Sequence, residues 1–231
     1  MKQLIEYLSQ FVTDRRFNLL RKVASERTRY ITIALEDIYQ SHNASAVLRT
    51  CDCLGIQDVH IIEKKNRYSL NPDVELGSAQ WLNLYKYNRG PNPAITAVDQ
   101  LKSKGYRIVA TTPHTDDVSL DDFDLSKGPV ALLFGTEMRG LTDETLSAAD
   151  EFLRIPMSGF TESFNISVSA AIALYTLNQN LRKSELNWQL PEHEIDTLVL
   201  DWLRKSIRDS DLLEKRYIFD NQNQGACPSS Q

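Results

Sequence analysis

The stretch "EFLRIPMSGFTESFNISVSAAIAL", Glu151 to Leu174, passes from a short β-rich run through a loop into an apolar helical pattern. Polar groups crowd the junction: Ser158, Thr161, Ser163, Asn165, Ser167 and Ser169. Pro156 and Gly159 suit a loop that turns back on itself. Ser163 and Asn165 fall at or near the helix start, where exposed N–H groups and partial positive charge favour a phosphate or a carboxylate. Thr161 and Ser163 would serve equally as caps, and Ser167 and Ser169 as small residues that allow close packing. Close packing is the preferred reading for those two serines, and a functional one for Asn165.

Upstream of this stretch the same alternation repeats. Candidate strands are "YITIAL" (30–35), "DVHIIE" (58–63), "WLNLYKY" (81–87), "YRIVATT" (106–112), "PVALLFG" (129–135) and "EFLRIP" (151–156). Helical patterns lie between them. "HNASAVLRTCDCLG" carries Val47, Cys51 and Leu54 at helical spacing and stops at Gly55, "PAITAVDQLKSKG" stops at Gly105, and "TDETLSAAD" opens on Thr142 as an N-cap. The alternation predicts an α/β fold, a mostly parallel sheet with helices on both faces. Ligands of such sheets bind beyond the carboxyl ends of the strands. The loops "ATTPH", "FGTEMRG" and "IPMSGFTES" are therefore the candidate site.

Helical extensions flank this core. Residues 1–29 form the first, and "DRRFNLLRKVASERTR" within it sets six basic residues against two acids in a chain whose formal net charge is −5. The run is either a solvated helix face or an electrostatic footprint for nucleic acid, with Arg15, Arg16, Arg21 and Lys22 as RNA-binding candidates. The second extension spans 185–220, where Ile195, Leu198, Val199, Trp202, Leu203 and Ile207 make an apolar stripe that must pack on its own domain or on a second subunit. The expected divisions are thus 1–29, 30–184, 185–220 and a disordered tail, "NQNQGACPSSQ", over 221–231. No apolar run approaches the ~20 residues of a membrane helix, and no signal peptide is evident, so a soluble, cytoplasmic protein is expected. Cys51, Cys53 and Cys227 fit neither a zinc site nor a redox pair, and His42, His60, His114 and His193 lack ligand spacing. No metal is expected. The absence of any G-x-G excludes the dinucleotide fingerprint, and Leu141 stands where a P-loop would need its Lys.

Three segments in order, "HNASAVLRTCDCLGI", "ALLFGTEMRGLT" and "IPMSGFTESFNISVSAAIAL", resemble the motifs of the SPOUT-class RNA methyltransferases, in the TrmH (SpoU) branch that methylates ribose 2′-hydroxyls. The resemblance spans roughly 30–181. It implies a C-terminal trefoil knot, S-adenosylmethionine as cofactor and an obligate homodimer. It assigns Thr111, Gly135, Ile155 and Phe164 to the cofactor pocket, mainly through their backbones. The implied activity is 2′-O-methylation of tRNA, with guanosine 18 of the D-loop preferred. Ribosomal RNA as substrate, or a silent RNA-binding protein, are the alternatives.

By the same resemblance Arg49 activates the ribose hydroxyl, and Asn43, Glu137, Ser163 and Asn165 complete the catalytic set. A 2′-hydroxyl must lose its proton or have its oxyanion stabilised as the methyl transfers. Arginine is a poor proton acceptor, so activation is the role expected and the proton's destination stays open. On the first helix Arg49 lies about 200° from Val47 and points away from the core. The plain alternative is a surface arginine paired with Asp52. Asn43 lies about 240° round from Arg49, so the two serve one site only if Asn43 precedes the regular helix. Glu137 either caps loop amides or, as the resemblance suggests, holds the site or the second subunit's arginine. "QSHN" departs from the Lys-Pro-His-Asn pattern of tRNA-modifying relatives. Arg49 of one subunit is expected beside the other's cofactor, across an interface made by the C-terminal apolar stripe and the knot region.

Overall fold

The backbone follows the sequence's alternation closely. The structure, a computed structural model, describes residues 1–68, 71–113, 117–136 and 139–224. Glu137, His114 and Cys227 therefore lie outside the described residues. In chain order the elements are α1 (Lys2–Ser9), α2 (Asp14–Ser25), β1 (Ile31–Glu36), α3 (Ser41–Leu54), β2 (Asp58–Ile62), the one-turn α4 (Pro72–Glu75), β3 (Asn83–Tyr87), α5 (Pro93–Ser103), β4 (Arg107–Thr111), β5 (Val118–Ser119), β6 (Val130–Phe134), α6 (Asp143–Ala148), β7 (Glu151–Arg154), α7 (Ile166–Lys183), α8 (Glu192–Ser206) and α9 (Ser210–Gln224). All six predicted strands are present, and the two-residue β5 was not foreseen.

The chain divides into two units, Thr28–Trp188 and a helical unit of Met1–Arg27 with the segment from Gln189 onward. In the first unit seven parallel strands take the order β3-β2-β1-β6-β4-β7-β5. β1, β2 and β6 are buried along their whole length, which is why they read as unbroken apolar runs without alternation. Side-chain alternation then sorts the core into two layers. Ile31, Ile33 and Leu35 of β1 pack with Val47, Leu48 and Cys51 of α3 and Ala170, Ala173 and Leu174 of α7. Ala34, Ile108, Ala110 and Leu133 face the opposite side, against Ala97, Val98 and Leu101 of α5. α3 ends on Gly55 at φ 77, a left-handed position that costs glycine nothing, and Thr142 caps α6 by accepting from the Thr145 amide.

The helical unit corrects two expectations. The two terminal segments fold together, and the apolar stripe of α8 is buried inside its own chain, with α1 and α2 packed against it. That stripe is therefore not a free dimer face. α9 continues to Gln224, so residues 221–224 are helical and do not belong to a tail; 225–231 lie outside the described residues.

Candidate active site

Because every strand is parallel, their carboxyl ends share one edge, and the loops after β4, β6 and β7 meet there. They enclose a cavity of about 400 Å³ whose lining includes Thr111, Gly135, Ile155, Ser163 and Phe164. All four residues assigned to a cofactor by resemblance thus converge, although 53 positions of sequence separate Thr111 from Phe164. Thr111 turns its hydroxyl onto the Leu133 carbonyl at 2.7 Å. The loop after β6 closes on itself through paired Thr136–Gly140 backbone hydrogen bonds of 2.8 and 3.0 Å. At Gly135 a Cβ would stand 2.1 Å from the Gly140 carbonyl carbon, so no side chain fits between the two arms. Ser169 also lines this cavity, which the packing role expected for it did not foresee.

Asn165 is the N-cap of α7. Its Oδ1 accepts from the Ser167 amide at 2.9 Å and from the Ser167 hydroxyl at 2.6 Å. Neither Thr161 nor Ser163 makes that cap. The Asn165 Nδ2 donates to Asn43 Oδ1 at 3.2 Å, so two candidates from distant segments meet. Asn43 does not precede the helix as anticipated. It sits in the first turn of α3, 4% exposed, and donates from Nδ2 to the side-chain oxygen of Gln40, the helix N-cap residue, at 3.1 Å. The departure "QSHN" thus brings its own acceptor for Asn43. Arg49 lies on the outer face of α3, exposed, and among the described residues it makes no hydrogen bond or ion pair, including none to Asp52. It borders an open groove between α3 and α7 with Ala46, Ile172 and Tyr175. Within one chain, therefore, Arg49 and Asn43 line different cavities.

A second cavity, of about 650 Å³, adjoins the first and shares Thr136, Arg139, Gly140, Leu141 and Ile166 with it. Two acids at the end of β1 build its walls. Glu36 is buried and accepts from the Thr142 amide and hydroxyl and from the Thr145 hydroxyl, which ties β1 to the start of α6. Asp37 Oδ1 accepts from three successive amides, those of Lys64, Lys65 and Asn66, at 3.0, 2.7 and 2.7 Å. The sequence reading missed both, because their partners lie between 27 and 109 positions away and leave no local signal.

Residues 30–175 match the SpoU rRNA Methylase family, and that stretch contains all three motif segments. This chain belongs to the SpoU rRNA methylase family. Within the family it is 47% identical over 210 residues to the tRNA (guanosine(18)-2′-O)-methyltransferase of Borreliella burgdorferi, a match covering 91% of this chain and 94% of that one. The enzyme of the same name from Thermus thermophilus is 32% identical over 84% of this chain and 98% of its own. The crystal structure of the Aquifex aeolicus TrmH/SpoU tRNA modifying enzyme superposes with a TM-score of 0.74 at 27% identity, covering 85% of this chain and 98% of that one.

The basic run of α2 is less free than its sequence suggested. Arg21 bonds to Glu192 at 3.0 Å and to the buried Asp196 at 3.4 Å, and Arg16 donates to the Ser206 hydroxyl. Arg27 is buried over the Trp202 ring. Of the four RNA-binding candidates, Arg15 and Lys22 are exposed, and their side chains make no hydrogen bond or ion pair among the described residues. Among these residues no helix is long and apolar enough to cross a membrane.

Proposed function

We propose that this chain transfers a methyl group from S-adenosylmethionine to the ribose 2′-hydroxyl of guanosine 18 in tRNA, acting in the cytoplasm as a homodimer with a trefoil-knotted sheet edge. The observation that carries the reading is the meeting of Thr111, Gly135, Ile155 and Phe164 in one cavity beside the Asn43–Asn165 pair. The likeness to relatives named for guanosine 18 over nearly their whole length selects the substrate.

The cavity's composition suits that cofactor. Its volume falls in the range of small-molecule sites, ~300–1,000 Å³. With the Thr111 hydroxyl already engaged and no room for a side chain at Gly135, it offers backbone amides and carbonyls to an adenine edge and the Phe164 and Ile155 side chains to an apolar surface. Thr111, Gly135, Ile155 and Phe164 would hold the cofactor, which when bound supplies an electrophilic methyl group on a sulfonium. Asn165 and Asn43 orient one another and fix the start of α7. Arg49 supplies a permanent positive charge that favours the alkoxide form of the ribose hydroxyl. Since α3 points Arg49 away from Asn43, the site is complete only if a second copy supplies it. The groove between α3 and α7, where Tyr175 is 59% exposed, is the face through which two copies would exchange arginines.

The test is methyl transfer from labelled S-adenosylmethionine to a tRNA transcript carrying either guanosine or 2′-deoxyguanosine at position 18. Incorporation should occur with the first only, and S-adenosylhomocysteine should raise the melting temperature. Transfer to 23S rRNA fragments with none to tRNA would move the substrate assignment, and a monomer at micromolar concentration by sedimentation would defeat the shared site.

A further inference from the structure

The 650 Å³ cavity is left without an occupant by the cofactor reading, and its mouth carries an unexplained side chain. Tyr39, in the loop between β1 and α3, lines the cavity yet is 79% exposed. Among the described residues its ring makes no aromatic contact and its hydroxyl no hydrogen bond. A ring held in water beside a cavity contributes nothing to packing. It is a flat, sequence-tolerant surface for another π system.

The charges around the ring narrow what that system is. Among the described residues four carboxylates and three cations share the walls. Glu36 is engaged by Thr142 and Thr145, Asp37 by three backbone amides, and Glu144 by Lys64 Nζ at 3.6 Å. Among the described residues that leaves the exposed Lys65 and Arg139 on the walls with Asp143 as the one other carboxylate. A free aromatic ring beside two uncommitted cations is the combination that recognises a single unstacked nucleotide, base on the ring and phosphate on the cations. The wall shared with the cofactor cavity, at Thr136 and Gly140, is where a nucleoside held here would face the methyl donor.

We infer that Tyr39 is the stacking platform for the base of the target nucleotide, with Lys65 and Arg139 receiving its flanking phosphates. Asp37 acts as a positioning residue, because its grip on the Lys64–Asn66 amides sets the wall from which Lys65 projects. The inference rests on the methyltransferase reading and deepens it by naming how the substrate nucleotide is held.

The experiment compares wild type, Tyr39→Phe, Tyr39→Trp and Tyr39→Ala in methylation of a tRNA transcript at saturating S-adenosylmethionine, with S-adenosylhomocysteine affinity by calorimetry as control. Loss of one base–aromatic stack lowers kcat/KM about 5- to 100-fold in Tyr39→Ala. The Phe and Trp variants should stay within a few-fold of wild type, and cofactor affinity should not move in any of them. In a transcript with 2-aminopurine at position 18, fluorescence quenching on binding should be present in wild type and lost in Tyr39→Ala. If wild type methylates tRNA and Tyr39→Ala does so equally well, the stacking role is overturned while the enzyme reading stands. Parallel loss of cofactor affinity in Tyr39→Ala would make Tyr39 structural and likewise overturn it. A wild type inactive on tRNA overturns both readings together.

Discussion

The two regions richest in cations use them in opposite ways. In the helical unit, Arg21 and Arg16 are held by Glu192, Asp196 and Ser206, and Arg27 is buried over the Trp202 ring. At the carboxyl edge of the sheet the acids Glu36 and Asp37 are consumed by backbone amides and hydroxyls, whereas the Lys65 and Arg139 side chains have no partner among the described residues; Arg49, away from that edge on the outer face of α3, has none either. Charge density along the sequence was higher in the first region, yet most of that basic run is engaged and only the Arg15 and Lys22 side chains within it stay unpaired among the described residues. What separates them is whether the fold supplies the counter-charge.

The strongest challenge to this contrast is Arg49→Ala. An arginine that the fold does not use should leave stability and S-adenosylhomocysteine affinity unchanged while methyl transfer at saturating substrates falls roughly 10²- to 10⁴-fold. Retention of wild-type turnover returns Arg49 to the surface. His60 tests the reverse case, a group whose charge the fold refuses. It is 1% exposed, bonded at Nδ1 to the Tyr87 hydroxyl at 2.9 Å and stacked on Tyr85. Burial first, and Lys104 second, press its pKa from 6.5 to about 4. Between those values the unfolded chain binds the proton and the folded chain does not. Stability is therefore full above pH 6.5 and falls as pH drops toward 4, by on the order of 3 kcal/mol. Denaturant titrations of His60→Gln at pH 7 and pH 4.5 should show a smaller drop than wild type, and an equal drop would remove His60 as its source.

A smaller effect is expected from Arg21→Ala, which leaves the buried Asp196, among the described residues, with only Lys2 at 3.9 Å as a counter-charge. It should lose about 1–2 kcal/mol of stability, given that Arg21 is itself partly solvated. Unchanged denaturation midpoints would show that the α2–α8 pairs are incidental. The mildest change is the double variant Arg15→Ala, Lys22→Ala. Its stability should stay within about 0.5 kcal/mol of wild type. Any RNA contact would appear only as a flatter salt dependence of tRNA binding, by up to ~0.9 in slope per phosphate lost, with turnover at saturating tRNA kept.

Where local rules decide the outcome, the sequence was sufficient. Apolar runs gave the six longer strands, Gly55 and Gly105 marked helix ends, Thr142 marked a start, and the rule that ligands bind beyond strand carboxyl ends singled out three loops that line one cavity. What escaped was non-local. Val118–Ser119 is too short to show a period, and it exists only because β7 offers an edge. Asn43 was set outside its helix only to let it share a site with Arg49, about 240° round, and nothing local showed that Gln40 would bond it inside the first turn. Asp37 and its three amides are joined across the end of the sheet, and only the pairing of β1 with β2 brings them together. The α8 stripe announced that it would be covered, but nothing in its spacing named α1 and α2 as the cover.

The Asp37 clip has a consequence in time as well as in space. Asp37 sits at φ 54, a left-handed conformation that aspartate tolerates better than most residues, and holds three neighbouring amide hydrogens on one oxygen. Amides in an exposed strand-to-helix connection ordinarily trade hydrogen for deuterium quickly, since little must open to release them. Here Lys64, Lys65 and Asn66 can exchange only when a single carboxylate lets go, and they must do so together. Deuterium uptake should therefore find a three-residue island of slow, synchronous exchange inside a fast loop. The lifetime of that island is a clock for the opening of the cavity's wall, readable in the free protein before any RNA is added.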